Sequence, residues 1–167
     1  MKKGIKKMNE QKIIYQNYLL SIGKVIIQSD EKSIIRISAS YDKEKGIQKD
    51  NRLLNQAAEQ LKEYLEGKRK EFDLPFQPRG TEFQEKVWKE LCKVPYGKTA
   101  TYQEIAERIG NKKACRAVGM ACGKNPIFIV IPCHRIIGKN GNLTGYAEGL
   151  EIKQKLLSLE RENTFSM

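Results

Sequence analysis

The sequence predicts an α+β fold in two lobes: a small N-terminal α/β lobe over residues 1–79, built from a short antiparallel sheet plus a helix, and a mostly helical C-terminal lobe over residues 80–167. Three observations carry this. β-branched runs at residues 24–28 and 33–37 precede a single amphipathic helical pattern. The stretch Leu74-Pro75-Phe76-Gln77-Pro78-Arg79-Gly80 has the prolines and the glycine of a linker. Beyond it, the spacings Thr81 to Gln84 and Thr101 to Glu104 are those of capping boxes at helix starts.

Each element follows from local chemistry. Lys24-Val25-Ile26-Ile27-Gln28 and Ser33-Ile34-Ile35-Arg36-Ile37 flank the polar Ser29-Asp30-Glu31-Lys32, which reads as a hairpin or small sheet. After the polar stretch Asp42 to Asp50, residues Leu53, Leu54, Ala57, Ala58, Leu61, Tyr64 and Leu65 recur at helical spacing, and Gly67 supplies the stop. In the second lobe Phe83, Val87, Trp88 and Leu91 share one helical face that ends before Pro95-Tyr96-Gly97. Thr101 opens a short helix through Ile105, Ala106 and Ile109, closed by Gly110-Asn111, and a third helix runs from about Lys112 to Cys122. Two short helices about a tight turn make a helix-turn-helix. The small residues of Cys115-Arg116-Ala117-Val118-Gly119-Met120-Ala121 suit either close approach to a groove or tight internal packing. Asn140-Gly141 lies between two short extended runs, a hairpin signal, and a hairpin behind a helix-turn-helix is a wing. The last helix carries Leu150, Ile152, Leu156, Leu157 and Leu159 and brings Glu160 with it.

Composition narrows the function classes. A chain of 167 residues with one Trp, seven Tyr and five Phe can bury one core, or two sharing an interface. The Lys-rich first eight residues lack the apolar centre of a signal peptide, and no apolar run is long enough to span a bilayer, so a cytoplasmic protein without membrane contact is expected. Cys92, Cys115, Cys122 and Cys133 show no C-x-x-C spacing, and His134 is the single histidine. Reduced thiols, no structural metal and no cofactor follow as expectations. The formal net charge of +11 is shared by both halves, which fits a polyanion such as DNA or a merely solvated basic surface.

The chemistry concentrates in Ile127-Phe128-Ile129-Val130-Ile131-Pro132-Cys133-His134-Arg135. A free thiol with a pKa near ~8.5 is only slightly ionised at neutral pH, and a neighbouring imidazole is a usual means of raising the thiolate fraction. Cys133 beside His134 is therefore a candidate activated nucleophile, against the alternative of a structural thiol. A carboxylate such as Glu160 could orient the imidazole, or simply be a solvated helix residue.

With these pieces in place the chain resembles the 6-O-alkylguanine-DNA alkyltransferases, also called methylated-DNA-protein-cysteine methyltransferases. The resemblance rests on Tyr102, Cys115-Arg116-Ala117-Val118-Gly119, Gly123-Lys124-Asn125-Pro126, Ile131-Pro132-Cys133-His134-Arg135 and Gly145-Tyr146-Ala147, in family order and spacing over roughly residues 80 to 160. The first lobe matches only in size and in its strand and helix order. The resemblance implies a winged helix-turn-helix alkyltransferase lobe that carries the active site, and a supporting N-terminal lobe. It implies direct reversal of DNA damage by a monomer, through single-turnover transfer of an alkyl group from 6-O-alkylguanine to the Cys133 thiolate, and leaves open whether 4-O-alkylthymine is also repaired. His134 would act as base through a water and Glu160 would hold it. Tyr102, Tyr146, Ala147 and Asn125 would serve the flipped base and the hinge beside it. Arg116 would fill the gap in the stack, with Ala117, Gly119 and Ala121 against the minor groove of double-stranded DNA. Phe128, near the pocket mouth, and Glu148, where relatives often carry Gly, are departures that could narrow the range of alkyl groups; Cys122 lines the pocket or packs beside it. Zinc, held in some relatives by first-lobe Cys and His, has no ligands here, because residues 1–80 contain neither.

Two rival classes remain open at this stage. A winged-helix regulator or alkylation-damage sensor would bind DNA without chemistry, and sensors of that kind lack the reactive cysteine. A cysteine hydrolase usually draws its Cys and His from distant positions, unlike adjacent Cys133 and His134.

Overall fold

The computed structural model describes residues 12–39 and 45–165; the Lys-rich first eight residues and part of the Asp42 to Asp50 stretch lie outside the described residues. In the first lobe β1 (Ile14–Leu20), β2 (Gly23–Ser29) and β3 (Ile34–Ser38) form an antiparallel meander. The sheet is not purely antiparallel: β4 (Ile47–Gln48) pairs parallel to β1, giving the order β3-β2-β1-β4. Helix α1 (Arg52–Leu65) starts at Asn51, whose side chain accepts the Leu53 and Leu54 amides, and lays Leu54, Ala57, Leu61 and Tyr64 on the sheet. It stops at Gly67, whose φ of +76° is the left-handed value expected there.

The linker does more than connect. Ile34 N–H donates to Pro75 at 2.8 Å and Gln77 N–H donates to Ile34 at 2.9 Å, so residues 75–77 pair with the free edge of β3. Farther along that edge, Ile37 N–H donates to Pro126 at 2.9 Å and the Phe128 amide reaches Ile37 at 3.4 Å. The linker and a second-lobe segment thus cover an edge strand that would otherwise expose unpaired backbone groups.

The second lobe comprises α2 (Glu82–Leu91), β5 (Ala100–Thr101), α3 (Tyr102–Arg108), α4 (Cys115–Gly123), β6 (Ile136–Ile137) and α5 (Leu150–Phe165). Both predicted capping boxes form: Thr81 and Gln84 exchange bonds of 3.0 and 3.2 Å, and Thr101 and Glu104 exchange bonds of 2.7 and 3.1 Å. The α3–α4 pair is the expected helix-turn-helix. Its wing is not a β-hairpin. Gly141 turns the chain at φ +78° and Gly138 N–H closes on Asn142 at 2.9 Å, but β6 pairs parallel with β5, and among the described residues no strand follows the turn. The turn forms as its local chemistry predicts, but β6 takes β5 as its partner in place of a hairpin return, a pairing set by tertiary packing. One continuous buried cluster, including Ile27, Ile37, Leu61, Trp88, Ile127 and Leu156, spans both lobes. Among the described residues no helix is long and apolar enough to cross a membrane.

Candidate active site

The cysteine is delivered by a tight, buried turn. Just past α4, Asn125 accepts the Ile127 amide at 2.9 Å, and its amide nitrogen donates to the Ile131 carbonyl at 2.8 Å and to Cys133 Sγ at 3.0 Å. Ile131 N–H closes the loop on Ile127 at 3.0 Å. Inside this loop Ile129 has φ +72°, a conformation that costs a β-branched side chain on the order of 1–3 kcal/mol. Burial of Ile127, Phe128, Ile129 and Ile131, each at most 2% exposed, holds the strained turn in place. Cys133, His134 and Arg135 then form a single 3-10 turn, a buried one.

Around the imidazole lies a closed polar network. His134, fully buried, has Nε2 2.9 Å from Glu160 Oε1, and because a carboxylate can only accept, the proton sits on Nε2. Nδ1 therefore presents its lone pair, and among the described residues it has no hydrogen-bond partner. The same Glu160 oxygen accepts the Tyr64 hydroxyl at 2.7 Å and Arg135 Nη2 at 2.8 Å. Arg135 Nε lies 3.0 Å from Oε2, and Nη1 donates to the Val94 carbonyl at 2.7 Å. Gly97 N–H reaches Oε2 at 3.3 Å from a left-handed turn where a Cβ would meet Thr164 Oγ1, so only glycine fits.

These contacts set the ionisation states. Burial pushes the Cys133 thiol up to about 11, against the opposing pull of the Asn125 hydrogen bond and the Lys153 charge. Burial opposes charge on Glu160 as well, but hydrogen bonds from His134 and Arg135 outweigh it and hold the carboxyl down at about 2. His134 is depressed below 6.5, first by burial and further by the Arg135 and Lys153 charges, which together outweigh the pull of Glu160. The resting site is a neutral thiol beside a neutral imidazole, with Glu160 and Arg135 as a buried ion pair.

The other predicted residues fall around this centre unequally. Tyr102 is half-buried at the start of α3 and its hydroxyl accepts from Thr144 at 2.9 Å; burial keeps its phenol protonated. The Tyr146 hydroxyl faces Cys133 without reaching hydrogen-bond geometry, and it too is held protonated by burial. Ala147 is exposed in the same loop, and the half-buried Glu148 lies close enough to Cys133 to oppose ionisation of its thiol. On α4, Arg116 and Ala117 are exposed, whereas Gly119 is half-buried and turned toward the Tyr102 ring. Ala121 is a correction: it is 2% exposed and its carbonyl accepts Trp88 Nε1, so it lies on the helix face that packs inward and cannot touch a groove. Phe128 is a second correction, since it is part of the core and not at a pocket mouth. Cys122 is buried, with its thiol raised to about 12 by burial and by nearby Cys133.

Three further residues went unread in the sequence. Tyr64 reads from sequence as part of the core stripe of α1, and nothing local signals that its hydroxyl crosses to the second lobe. Arg135 gave a signal, a cation directly after an apolar run. Lys153, only 1% exposed, donates to the carbonyls of Ile136 at 2.6 Å and Thr144 at 3.1 Å. Its signal was the spacing Lys153, Leu156, Glu160, which places two charges on the apolar stripe of α5.

Comparison with known proteins agrees with this architecture. Residues 82–162 match the family described as 6-O-methylguanine DNA methyltransferase, DNA binding domain, and residues 13–78 match its ribonuclease-like domain. A methylated-DNA-protein-cysteine methyltransferase of Methanosarcina barkeri is 48% identical over 153 residues, 85% of this chain and 93% of the relative. An inducible one of Bacillus subtilis is 50% identical over 118 residues, 71% of this chain and 66% of the relative. The crystal structure of the Mycobacterium tuberculosis O6-methylguanine methyltransferase is similar with a TM-score of 0.83 at 37% identity, covering 93% of this chain and 96% of that one. A Mycobacterium tuberculosis OGT in complex with DNA gives a TM-score of 0.83 at 39% identity, over 90% of this chain and 94% of that one. With its buried Cys133 and His134 behind a helix-turn-helix, family matches over residues 13–78 and 82–162, and a 48% identical relative matched along 93% of its length, the chain belongs to the methylated-DNA-protein-cysteine methyltransferase family.

Proposed function

We propose that this protein repairs alkylated double-stranded DNA by transferring the methyl or other alkyl group of 6-O-alkylguanine irreversibly to Cys133, one group per molecule. The observation that carries the reading is a thiol held 3.0 Å from the Asn125 amide and next to a buried imidazole whose Nε2 is engaged by Glu160 and whose Nδ1 is open. His134 accepts the thiol proton on Nδ1 through a water, and Glu160 stabilises the imidazolium. Sulfur attacks the alkyl carbon, the carbon–oxygen bond breaks, and its electron pair stays with the guanine. The leaving base then needs a proton, and the Tyr102 phenol, kept protonated by burial, is placed to supply it. A thioether is a poor leaving group, so the enzyme stops after one turnover.

The target base is stacked in the duplex, and flipping it out costs a few kcal/mol. Exposed Arg116 fills the gap from α4, Ala117 and Gly119 let the helix lie close to the minor groove, and the loop of Tyr146 and Ala147 closes over the base. A division near residue 80, a monomeric state and a cytoplasmic location belong to the same reading. The test is mass spectrometry of the intact protein and its peptides after incubation with a duplex carrying one 6-O-methylguanine. One methyl on the Cys133 peptide, with guanine restored and none transferred in Cys133→Ser, is the expected result; binding without transfer would make the protein a damage sensor or regulator.

A further inference from the structure

The first lobe reaches into the chemistry at one point. Tyr64 sits in the last turn of α1, fully buried, and its hydroxyl donates to Glu160 Oε1 at 2.7 Å while lying 3.3 Å from His134 Nε2. Its ring is fixed by Phe72 on one side, at 5.5 Å between centroids, and by the edge-on ring of Tyr96 at 6.0 Å. Burial and the Glu160 charge both raise its pKa, so the hydroxyl keeps its proton at any pH where the protein is folded and remains a donor.

The geometry assigns Tyr64 a role: we infer that it is a positioning residue of the transfer reaction, through which the first lobe fixes the Glu160 and His134 pair. This rests on the proposed roles of Cys133, His134 and Glu160. Glu160 Oε1 accepts from His134, Arg135 and Tyr64 together. Arg135, Tyr64 and the Gly97 amide together hold the carboxylate, which keeps its bond to His134 Nε2 and leaves Nδ1 as the nitrogen not engaged by Glu160. Arg135 comes from the same turn as His134, so it moves with the imidazole and cannot by itself fix the carboxylate against it. Tyr64 is anchored in the other lobe and supplies a side-chain reference independent of that turn, at 2.7 Å against 3.3 Å for the Gly97 amide. A donor whose oxygen also lies near Nε2 holds both partners of the pair, where an apolar ring of the same shape would hold neither.

The variant Tyr64→Phe keeps the ring packing and removes only the hydroxyl. Because His134 is the single histidine of the chain, the ring nitrogens of 15N-histidine-labelled protein report its tautomer and titration without ambiguity. Single-turnover transfer from a 6-O-methylguanine duplex is measured across pH together with duplex affinity and thermal unfolding. Transfer about tenfold slower at unchanged affinity, with a displaced His134 titration, is expected. Combining the change with Glu160→Gln should abolish most of its effect, since Tyr64 acts through that carboxylate. A transfer rate and a His134 titration equal to wild type, whatever the melting temperature does, would reduce Tyr64 to a packing residue and overturn the inference, as would full additivity with Glu160→Gln. Should Tyr64→Phe not fold, difluorotyrosine at position 64 is nearly isosteric and a stronger donor; an unmoved His134 titration there overturns the inference equally. Failure of the underlying reading looks different: wild-type protein would then not be methylated at Cys133, or His134→Gln would transfer at the wild-type rate.

Discussion

Replacing Glu160 by Gln separates structure from chemistry at one atom pair. The substitution is isosteric and removes the counter-charge of Arg135, which is 7% exposed and otherwise meets the neutral Val94 carbonyl and the Tyr96 ring face, 5.7 Å away. Breaking a buried ion pair in this way costs about 3–5 kcal/mol. The carboxyl titration gives an independent figure: a fall from 4.5 to about 2 corresponds to roughly 3 kcal/mol at about 1.4 kcal/mol per pH unit. The sign is fixed by the depressed folded-state pKa, so this stabilisation is complete above 4.5 and is lost as pH falls toward 2. Urea unfolding at neutral pH should therefore show Glu160→Gln weaker by about 3 kcal/mol. Transfer should slow by about a hundredfold, because the imidazolium formed in the reaction loses its counter-charge. Duplex affinity should stay within about twofold, since Glu160 is 1% exposed and offers DNA no contact. A wild-type transfer rate in a protein destabilised as expected would remove Glu160 from the mechanism; a stability loss below about 1 kcal/mol would refute the buried-pair argument itself.

Arg116→Ala should slow repair of a stable base pair about tenfold more than repair of a mismatched one, because only the former demands costly extrusion; single-turnover rates on the two duplexes check this, and equal losses would argue against a flipping role. Stability should fall as pH drops from 6.5, since the unfolded chain protonates His134 before the folded one does, and urea midpoints of His134→Gln should lack that slope. Methylation of Cys133 should lower the melting temperature by several degrees, because a methyl must enter the closed turn beside the Asn125 amide, 3.0 Å from the sulfur; identical melting of free and methylated protein would reject the crowding.

Much of the fold was legible because it is encoded by near neighbours. Thr81 with Gln84, Thr101 with Glu104, Asn140-Gly141 and the Gly67 stop are local geometries, and all four form where the sequence places them. The adjacency of Cys133 and His134 needs no fold to be seen. By contrast, Ala121 looked equivalent to Ala117 in composition, and only the docking of α4 against Trp88 turned it inward. β6 was given a hairpin partner by sequence, and β5, more than thirty residues earlier, took its place. The pairing of Glu160 with Tyr64, 96 residues away, was beyond any local pattern. The sequence by itself determined the capped starts of α2 and α3, the adjacency of Cys133 and His134 that makes them the candidate nucleophile and base, and the family. The tertiary structure decided which buried polar groups meet, because hydrogen-bond partners in a core are chosen by how distant elements pack, while caps, turns and periodicity are settled within a few residues.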